Sequence, residues 1–198
     1  MPLKSRREEY SEATRRALLR AGRKLFATQG YADTSISEIV RAARLTGGAL
    51  YHHFRDKKQI FQAIVEEIEQ EIMEKADAAA AHRDPWDGLL AGMEAMLDAS
   101  MAADVQRIGF VDAPVVLGPE LAREIEARYG YGKLRKSLER VIEAGLVQRR
   151  SVDLLGSILL GCLHESAMAI ARADNVAAGR RQASQILREL LGGLRTKA

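Results

Sequence analysis

Residues 35–57, SISEIVRAARLTGGALYHHFRDK, decide the fold of this chain. Ser35, followed three residues later by Glu38, has the pattern of a capping box, which predicts that a short helix begins there. After a connection of a few residues, Thr46 can cap a second short helix that ends near Phe54. A short helix, a tight turn and a second short helix predict a helix-turn-helix motif over about 35–54.

The second helix of this motif begins with small side chains, Thr-Gly-Gly-Ala at residues 46–49. Each glycine weakens a helix by about 1 kcal/mol relative to alanine, so helix stability does not explain the two glycines. A helix that enters the DNA major groove needs such an N-terminal turn, because its backbone must approach the base edges. Leu50 and Phe54, four residues apart, are expected to point inward.

Charge is concentrated at the N-terminal end. Residues 1–60 contain 13 Lys or Arg and 6 Asp or Glu, a net charge of +7, whereas residues 61–198 carry −4. Charge alone fits a solvated basic face as well as a module that binds a polyanion. Together with the helix-turn-helix pattern, it favours DNA as the partner.

The composition predicts an all-α protein of one or two domains. Of its 198 residues, 47% are hydrophobic, 29% charged and only 5% aromatic, and Ala, Leu, Arg and Glu are abundant. A lone cysteine, Cys162, excludes an internal disulfide. The N-terminus lacks the apolar stretch of a signal peptide, and no run of about 18 apolar residues occurs, so we expect a cytoplasmic protein without a membrane segment.

Hydrophobic periodicity over the rest of the chain predicts eight or nine helices and no strand. We expect a break near 76–84, an irregular stretch with Gly109, Pro114, Gly118 and Pro119, and an interruption or bend at 130–132. The other predicted helices cover Ser11–Gln29 (ended by Gly30), 57–75, a helix from Pro85 capped by Asp84, a helix from Glu120 to about Leu146, 152–173 capped by Ser151, and 183–194.

Residues 37–40, 46–54 and 55–57 resemble the TetR (tetracycline-repressor) family of bacterial transcriptional regulators. The run Leu-Tyr-His-His-Phe at 50–54, followed by Lys57, is close to the most recognisable signature of that family. The resemblance is dense over about 11–70 and extends loosely over the whole chain. It implies a DNA-binding domain over 1–56 and a ligand-binding and dimerisation domain over 57–198, with helix four connecting the two.

The resemblance also implies the DNA contacts. Tyr51 would contact phosphate, His52 would reach the groove, and Lys57 would hold another phosphate with the help of the helix dipole. Because residues 47–49 offer no hydrogen-bonding side chain where many relatives have polar ones, specificity is expected to depend on Thr46, His52 and DNA shape. The full predicted set is Ser35, Ser37, Thr46, Gly47, Gly48, Ala49, Tyr51, His52 and Lys57.

Alternatives remain for several of these residues. Tyr51 could instead pack between helices one and three. Lys4, Arg6 and Arg7 lie in a segment, 1–10, that could be an arm reaching DNA or simply disordered. His52 and His53 lack a third ligand nearby in the sequence, so neither a metal site nor a cofactor is expected.

The C-terminal part offers candidates for a ligand pocket. Methionines on one helical face could line an adaptable apolar cavity or simply form core. Arg107, Phe110 and Asp112 could open a gate or lie in a solvated loop. His164 and Glu165 are polar residues within an apolar helix, and they could anchor a ligand or form a hydrogen bond at a dimer interface. The predicted pocket, for an apolar or aromatic effector, consists of Met93, Met96, Leu97, Met101, Arg107, Phe110, His164 and Glu165.

The last two helices predict a homodimer. The helix at 152–173 is apolar nearly all round, and one subunit offers too little helix to cover it together with the leucine stripe of the last helix. The resemblance implies a four-helix bundle with the symmetry mate, which would space the recognition helices about 34–36 Å apart over a palindrome. The predicted interface consists of Leu155, Leu159, Leu163, Ile186, Leu187, Leu190 and Leu194.

The leading hypothesis is a homodimeric repressor that occupies a palindromic operator on the nucleoid and is released by a small effector. An activator or a ligand-independent regulator is the alternative. An enzyme that uses Cys162 and His164 is disfavoured because these positions diverge on a helix. A helical scaffold without DNA leaves the +7 segment unexplained.

Overall fold

The computed structural model describes residues 5–196, and within this range the chain is all-α. Three helical segments follow one another without a break from Ala103 to Val116, so residues 5–196 form nine helical rods. The only β-bridge within this range is an isolated pair, Val147 and Arg195. The elements are α1 (Arg6–Asp33), α2 (Ile36–Ala42), α3 (Gly47–His53), α4 (Lys57–Ala79), α5 (Pro85–Ala99), α6 (Ala103–Val105), a π-helix (Gln106–Asp112), α7 (Ala113–Val116), α8 (Pro119–Glu143), α9 (Val152–Ala171) and α10 (Val176–Gly192).

The predicted helix starts are confirmed by their caps. Ser35 and Glu38 form the capping box of α2, and the Thr46 hydroxyl accepts a hydrogen bond from the Ala49 amide at the start of α3. Asp84, with Pro85 in the first turn, caps α5, and Ser151 caps α9. These starts were predictable because a cap is a contact between residues two or three positions apart.

The N-terminal helix is longer than predicted. It begins at Arg6 rather than Ser11, because Ser5 and Glu8 form a second capping box. The predicted arm over 1–10 is therefore wrong for residues 6–10, which are helical, whereas Lys4 lies outside the described residues. Gly30 has φ +84°, so the helical backbone is interrupted where the sequence predicted.

The middle of the chain differs from the prediction. Residues 106–116, predicted as mostly irregular, are helical, because Pro114 falls in the first turn of α7, where no amide hydrogen is needed. The helix α8 runs without interruption through residues 130–132, and Gly130 there allows a close approach of Met73 rather than a bend. The break after α4 covers only 80–84.

The helix α4 is central to the first of two hydrophobic clusters. Its residues Ile60, Phe61 and Ile64 share that cluster with buried residues of α1 to α3, and α4 also packs against α1, α5 and α8. Arg23 of α1 also bonds to Glu71 of α4 at 2.7 Å and to Asp104 of α6 at 2.8 Å. The N-terminal helix α1 is therefore held against the body at two points.

The helix α9 is the one described helix long and apolar enough, at a mean hydropathy of 1.6, to cross a membrane by composition. In this fold 39% of its most apolar window is already buried. Its residues Leu155, Leu159 and Leu163 belong to the same buried cluster as Leu138 of α8 and Leu187 of α10. Packing against its neighbours explains much of the apolar character of α9.

Candidate functional site

The turn between α2 and α3 sets the geometry of the helix-turn-helix. Arg44 has φ +56°, a left-handed conformation that is unusual outside glycine. The Leu45 amide donates to the Val40 carbonyl at 3.0 Å, and the Arg44 amide donates to the Arg41 carbonyl at 3.1 Å. This pattern closes α2 and reverses the chain within two residues, so that α3 leaves in a new direction.

The helix α3 presents one face to solvent and one to the core. Leu50 is fully buried and Phe54 is 3% exposed, as predicted, whereas the Tyr51 side chain is 60% exposed. His52 is also exposed. The alternative in which Tyr51 packs between α1 and α3 is therefore not found, and its ring is available to a partner.

The two glycines of α3 have no role within the described fold. A Cβ atom added to Gly47 or Gly48 would meet nothing within 4 Å, and neither residue has a positive φ. Glycine at these positions therefore leaves the backbone at the start of α3 open on its solvent side. Thr46, beside them, is exposed, and Ala49 is half-buried.

The side chain of Lys57 is half-buried, and backbone carbonyl groups surround its ammonium. Its ammonium donates to the carbonyl oxygens of Tyr31 and Thr34, both at 2.8 Å, and to that of Ala32 at 3.4 Å. It also lies 4.2 Å from the centre of the Tyr31 ring. Because these contacts engage the three donors of the ammonium, the predicted phosphate contact is corrected to a tie between the start of α4 and the end of α1.

The remaining residues predicted at the DNA surface differ in their exposure and in their hydrogen bonds. The Ser35 hydroxyl and amide are both engaged with the Glu38 carboxylate, whereas Ser37 is exposed. His53 is half-buried, and burial, with His52 nearby, lowers the pKa of its imidazole. In the part of the chain that the structure describes, no group of His, Cys, Asp and Glu could hold a metal ion.

Two cavities lie inside the C-terminal body and share Met73 and Met96 as a common wall. Each leaves about 30 Å³ for the centre of a water-sized sphere, so each has room for water rather than for a drug-sized molecule. The first is lined by Met93, Gly130, Lys133 and neighbours from α4, α5, α8 and α9. The second is lined by Glu69, Ile72, Met73, Met96, Leu97, Phe110, Glu126, Leu163, His164 and Ala167.

The predicted pocket residues divide between these cavities and other places. Met93, Met96, Leu97, Phe110 and His164 lie on the cavity walls. Three do not, and their prediction is corrected: Met101 packs at the edge of the core, Arg107 is on the surface, and Glu165 lines an outer groove between α8 and α9.

Arg107 and Asp112 connect the π-helix to α1. The Asp112 carboxylate accepts a hydrogen bond from the Tyr31 amide at 3.1 Å and pairs with Arg107 at 3.3 Å. The Arg107 guanidinium lies so close to Gly30 that a Cβ there would meet it at 2.3 Å. These contacts place the end of α1 against the same π-helix that carries Phe110 into the second cavity.

Sequence reasoning missed two acidic residues of the second cavity. Glu126 accepts a hydrogen bond from His164 Nδ1 at 3.0 Å, and this bond raises the pKa of the imidazole despite its partial burial. Burial raises the pKa of Glu69 to about 7, and Glu126 adds to the shift. The available signal was the position of Glu69 on the apolar stripe of α4, three residues before Ile72 and four before Met73.

Comparison with known families decides the identity of the fold and its function. Residues 18–64 match the family described as bacterial regulatory proteins, tetR family, and residues 86–194 match the tetracyclin repressor-like C-terminal domain. The chain belongs to the TetR family. It is therefore a DNA-binding transcriptional regulator and not an enzyme.

Several TetR-family relatives resemble the chain over most of its length. The TetC protein of transposon Tn10 from Escherichia coli is 27% identical over the whole of both chains. AcrR of Shigella flexneri is 27% identical over 79% of each. A TetR-family regulator from Pectobacterium atrosepticum is 35% identical, with a TM-score of 0.84 over 98% of this chain and 99% of its own.

The fold is also shared with more distant TetR-family structures. RolR in complex with its ligand resorcinol has a TM-score of 0.72 at 20% identity, over 92% of this chain and 89% of its own. At this identity the likeness concerns the fold alone.

The TetR-family body exposes an apolar surface on its last two helices. Leu154, Ile158, Ile186 and Leu190 are each more than half exposed, and Leu154, Ile158 and Leu190 line a groove of about 580 Å³. Among the predicted interface residues, Ile186 and Leu190 lie on this surface and Leu194 is half-buried at its edge. Leu155 and Leu159 also line this groove, although at most 8% of each is exposed. The other two predicted interface residues are corrected to core positions: Leu163 and Leu187.

Proposed function

We propose that the protein is a homodimeric repressor that binds a palindromic operator and releases it when a small effector enters the C-terminal body. The exposed face of α3 is the observation that supports DNA binding. On this face Tyr51 is exposed beside Gly47 and Gly48, where an added Cβ atom would meet no other atom within 4 Å. A backbone open at the start of a helix, in a segment of net charge +7, suits close approach to DNA.

The dimer part of the proposal is supported by the exposed apolar surface of α9 and α10. Leu154 and Ile158 are one turn apart on α9, and Ile186 and Leu190 are one turn apart on α10. Large apolar side chains at this spacing form a stripe on each helix, and a monomer rarely leaves such adjoining stripes in water. A two-fold axis beside these helices would bury both stripes in a four-helix bundle.

The release part is supported by the position of the π-helix. Phe110 forms part of the second cavity, while Asp112, two residues later, holds the Tyr31 amide of α1. A molecule that displaces Phe110 would therefore disturb the contact that positions α1, and with it the DNA-reading motif. Cytoplasmic action on the nucleoid follows from this proposal.

Selection of bound sequences from a random DNA pool, with the purified protein at two salt concentrations, tests the proposal. We expect a palindromic sequence whose affinity falls steeply with salt and is lost in Tyr51→Ala. Val115→Ala, an 84% exposed control on α7, should bind like the wild type. Enrichment of a sequence without two-fold symmetry, or equal binding by Tyr51→Ala, would contradict the proposal.

A further inference from the structure

Glu69 is a half-buried carboxyl group without a partner. It lies on the core-facing stripe of α4 and lines the second cavity, and no group within residues 5–196 donates a hydrogen bond or an ion pair to it. Removing a carboxylate from water without a compensating partner is unfavourable. The site therefore has an unsatisfied preference for a hydrogen-bond donor or a positive charge.

The neighbouring ionisable groups do not meet this preference. Glu126 repels the ionised form of Glu69 more strongly than the charge of His164 attracts it, and His164 donates its hydrogen bond to Glu126 through Nδ1 at 3.0 Å. With His164 protonated, the Glu126 pair is neutral, and Glu69 is left with one uncompensated negative charge. A metal ion does not suit the site, because no group of His, Cys, Asp and Glu in the described residues could hold one.

The other walls of the cavity suit an apolar body attached to a single charge. Phe110 contributes an aromatic ring that stands edge to face against His164 at 5.9 Å, and Ile72 and Leu163 are aliphatic. Aromatic faces and thioether sulfurs both make favourable contacts with organic cations and aromatic groups. The chemistry of the walls thus matches a lipophilic cation better than a sugar or an anion.

Room for such a molecule can come from two flexible side chains. Met73 and Met96 separate the two cavities, and Met73 packs against Gly130, where a Cβ would lie 3.3 Å from its sulfur. Methionine has three rotatable bonds and adapts readily to a changed neighbour. Rotation of Met73 and Met96 would join the two cavities into one that extends from Glu69 to Lys133.

We propose that the effector is an organic monocation, an apolar or aromatic amine, whose ammonium group pairs with Glu69 and whose body displaces Met73 and Met96. This inference rests on the proposed effector-responsive function and specifies the chemical class of the effector. Neutral molecules of the same shape bind more weakly, because they leave Glu69 uncompensated.

Isothermal titration calorimetry on the full chain without DNA tests this proposal. The probes are benzylammonium and naphthylmethylammonium, each compared with its neutral alcohol, and resorcinol as a neutral hydroxyl donor. At pH 7.5 we expect each amine to bind at least about tenfold more tightly than its alcohol. Glu69→Gln should remove that preference, and Glu74→Gln, an exposed carboxylate on the same helix, should keep it.

A pH series on the wild type makes the test independent of any variant. The affinity for the amines should rise between pH 6 and 8, because Glu69 loses its proton in this range while the amines stay charged. His164, with Glu126, Glu165 and Arg123 around it, titrates too, so the slope is compared with that of Glu69→Gln. A slope that is the same in both proteins would overturn the role of Glu69.

Three further results would overturn the proposal: no binding of either amine, alcohols that bind as tightly as amines, or tighter binding of resorcinol than of both amines. Because no DNA is present, these results are separate from failure of the DNA selection. A protein that selects a palindrome but ignores the amines keeps its proposed function and loses this inference.

Discussion

Gly48 shows how a single residue can serve a partner at the expense of its own helix. It is exposed in the first turn of α3, and a Cβ added there would meet nothing within 4 Å. We therefore expect Gly48→Ala to raise the free energy of unfolding by up to about 1 kcal/mol, because alanine favours the helix. The same methyl group would obstruct the approach to DNA and lower the affinity about tenfold or more.

Thermal unfolding and a DNA-binding titration measure the two effects of Gly48→Ala side by side. Gly132→Ala in α8 is the matched control, since a Cβ there also meets nothing within 4 Å. It should gain stability without losing DNA affinity. If Gly48→Ala binds DNA as well as this control does, the backbone of α3 does not approach DNA closely.

Lys57 is expected to act through stability rather than through a phosphate. Lys57→Met removes the hydrogen bonds to the carbonyls of Tyr31 and Thr34, and we expect a loss of about 1 to 3 kcal/mol in the free energy of unfolding. Lys58→Met, at an exposed position, should change it by less than about 0.5 kcal/mol. If Lys57→Met instead keeps full stability, and the slope of log K for DNA binding against log salt concentration falls by about one, Lys57 contacts a phosphate after all.

Asp112 joins two secondary-structure elements, the π-helix and α1. Asp112→Ala removes the acceptor of the Tyr31 amide and the partner of Arg107. We expect faster hydrogen exchange at residues 30–34 and a loss of about 1 to 2 kcal/mol in stability. Asp87→Ala, on an exposed turn of α5, is a control that should leave exchange at residues 30–34 unchanged.

Glu69 of α4 makes the stability of the fold depend on pH. Because its folded-state pKa is about 7, above the 4.5 of an exposed glutamate, the unfolded chain ionises first, so stability falls as pH rises from about 4.5 to about 7 and then levels off. Glu69→Gln cannot ionise, so we expect it to exceed the wild type by about 1 to 3 kcal/mol at pH 8. At pH 4.5 the difference should be small. Chemical denaturation at both values checks this, and a difference independent of pH would refute it.

At the scale of the whole molecule, the apolar surface of α9 and α10 decides the assembly. Ile158 is 54% exposed, so Ile158→Glu should leave the fold of one chain intact while it places a charge in the proposed interface. We expect sedimentation to change from a dimer to a monomer, with loss of binding to the palindrome. Val115→Glu, on an 84% exposed valine, should remain dimeric. A dimer that survives Ile158→Glu would move the interface elsewhere.

The sequence by itself determined the local features of this protein. The starts of α2, α3, α5 and α9 were predictable because a capping side chain bonds to an amide two or three residues away. The inward face of α3, with Leu50, was predictable from helical spacing. The interruption of α1 at Gly30 was predictable from the backbone preference of glycine. Residues 37–40 and 46–57 predicted the family, and the match over 18–64 and the relatives that cover the whole chain confirm it.

Only the tertiary structure determined which side chains from distant parts of the sequence contact one another. Lys57 lies beside carbonyl groups more than twenty residues earlier in the chain, and Glu69, Glu126 and His164 come together from three helices. On α9 the leucines at 155, 159 and 163 form a plausible interface stripe, yet packing against α8 and α10 buries them and leaves Leu154 and Ile158 outside. Helical periodicity shows that a helix has an apolar face, but the contacts between distant segments determine which neighbour covers it.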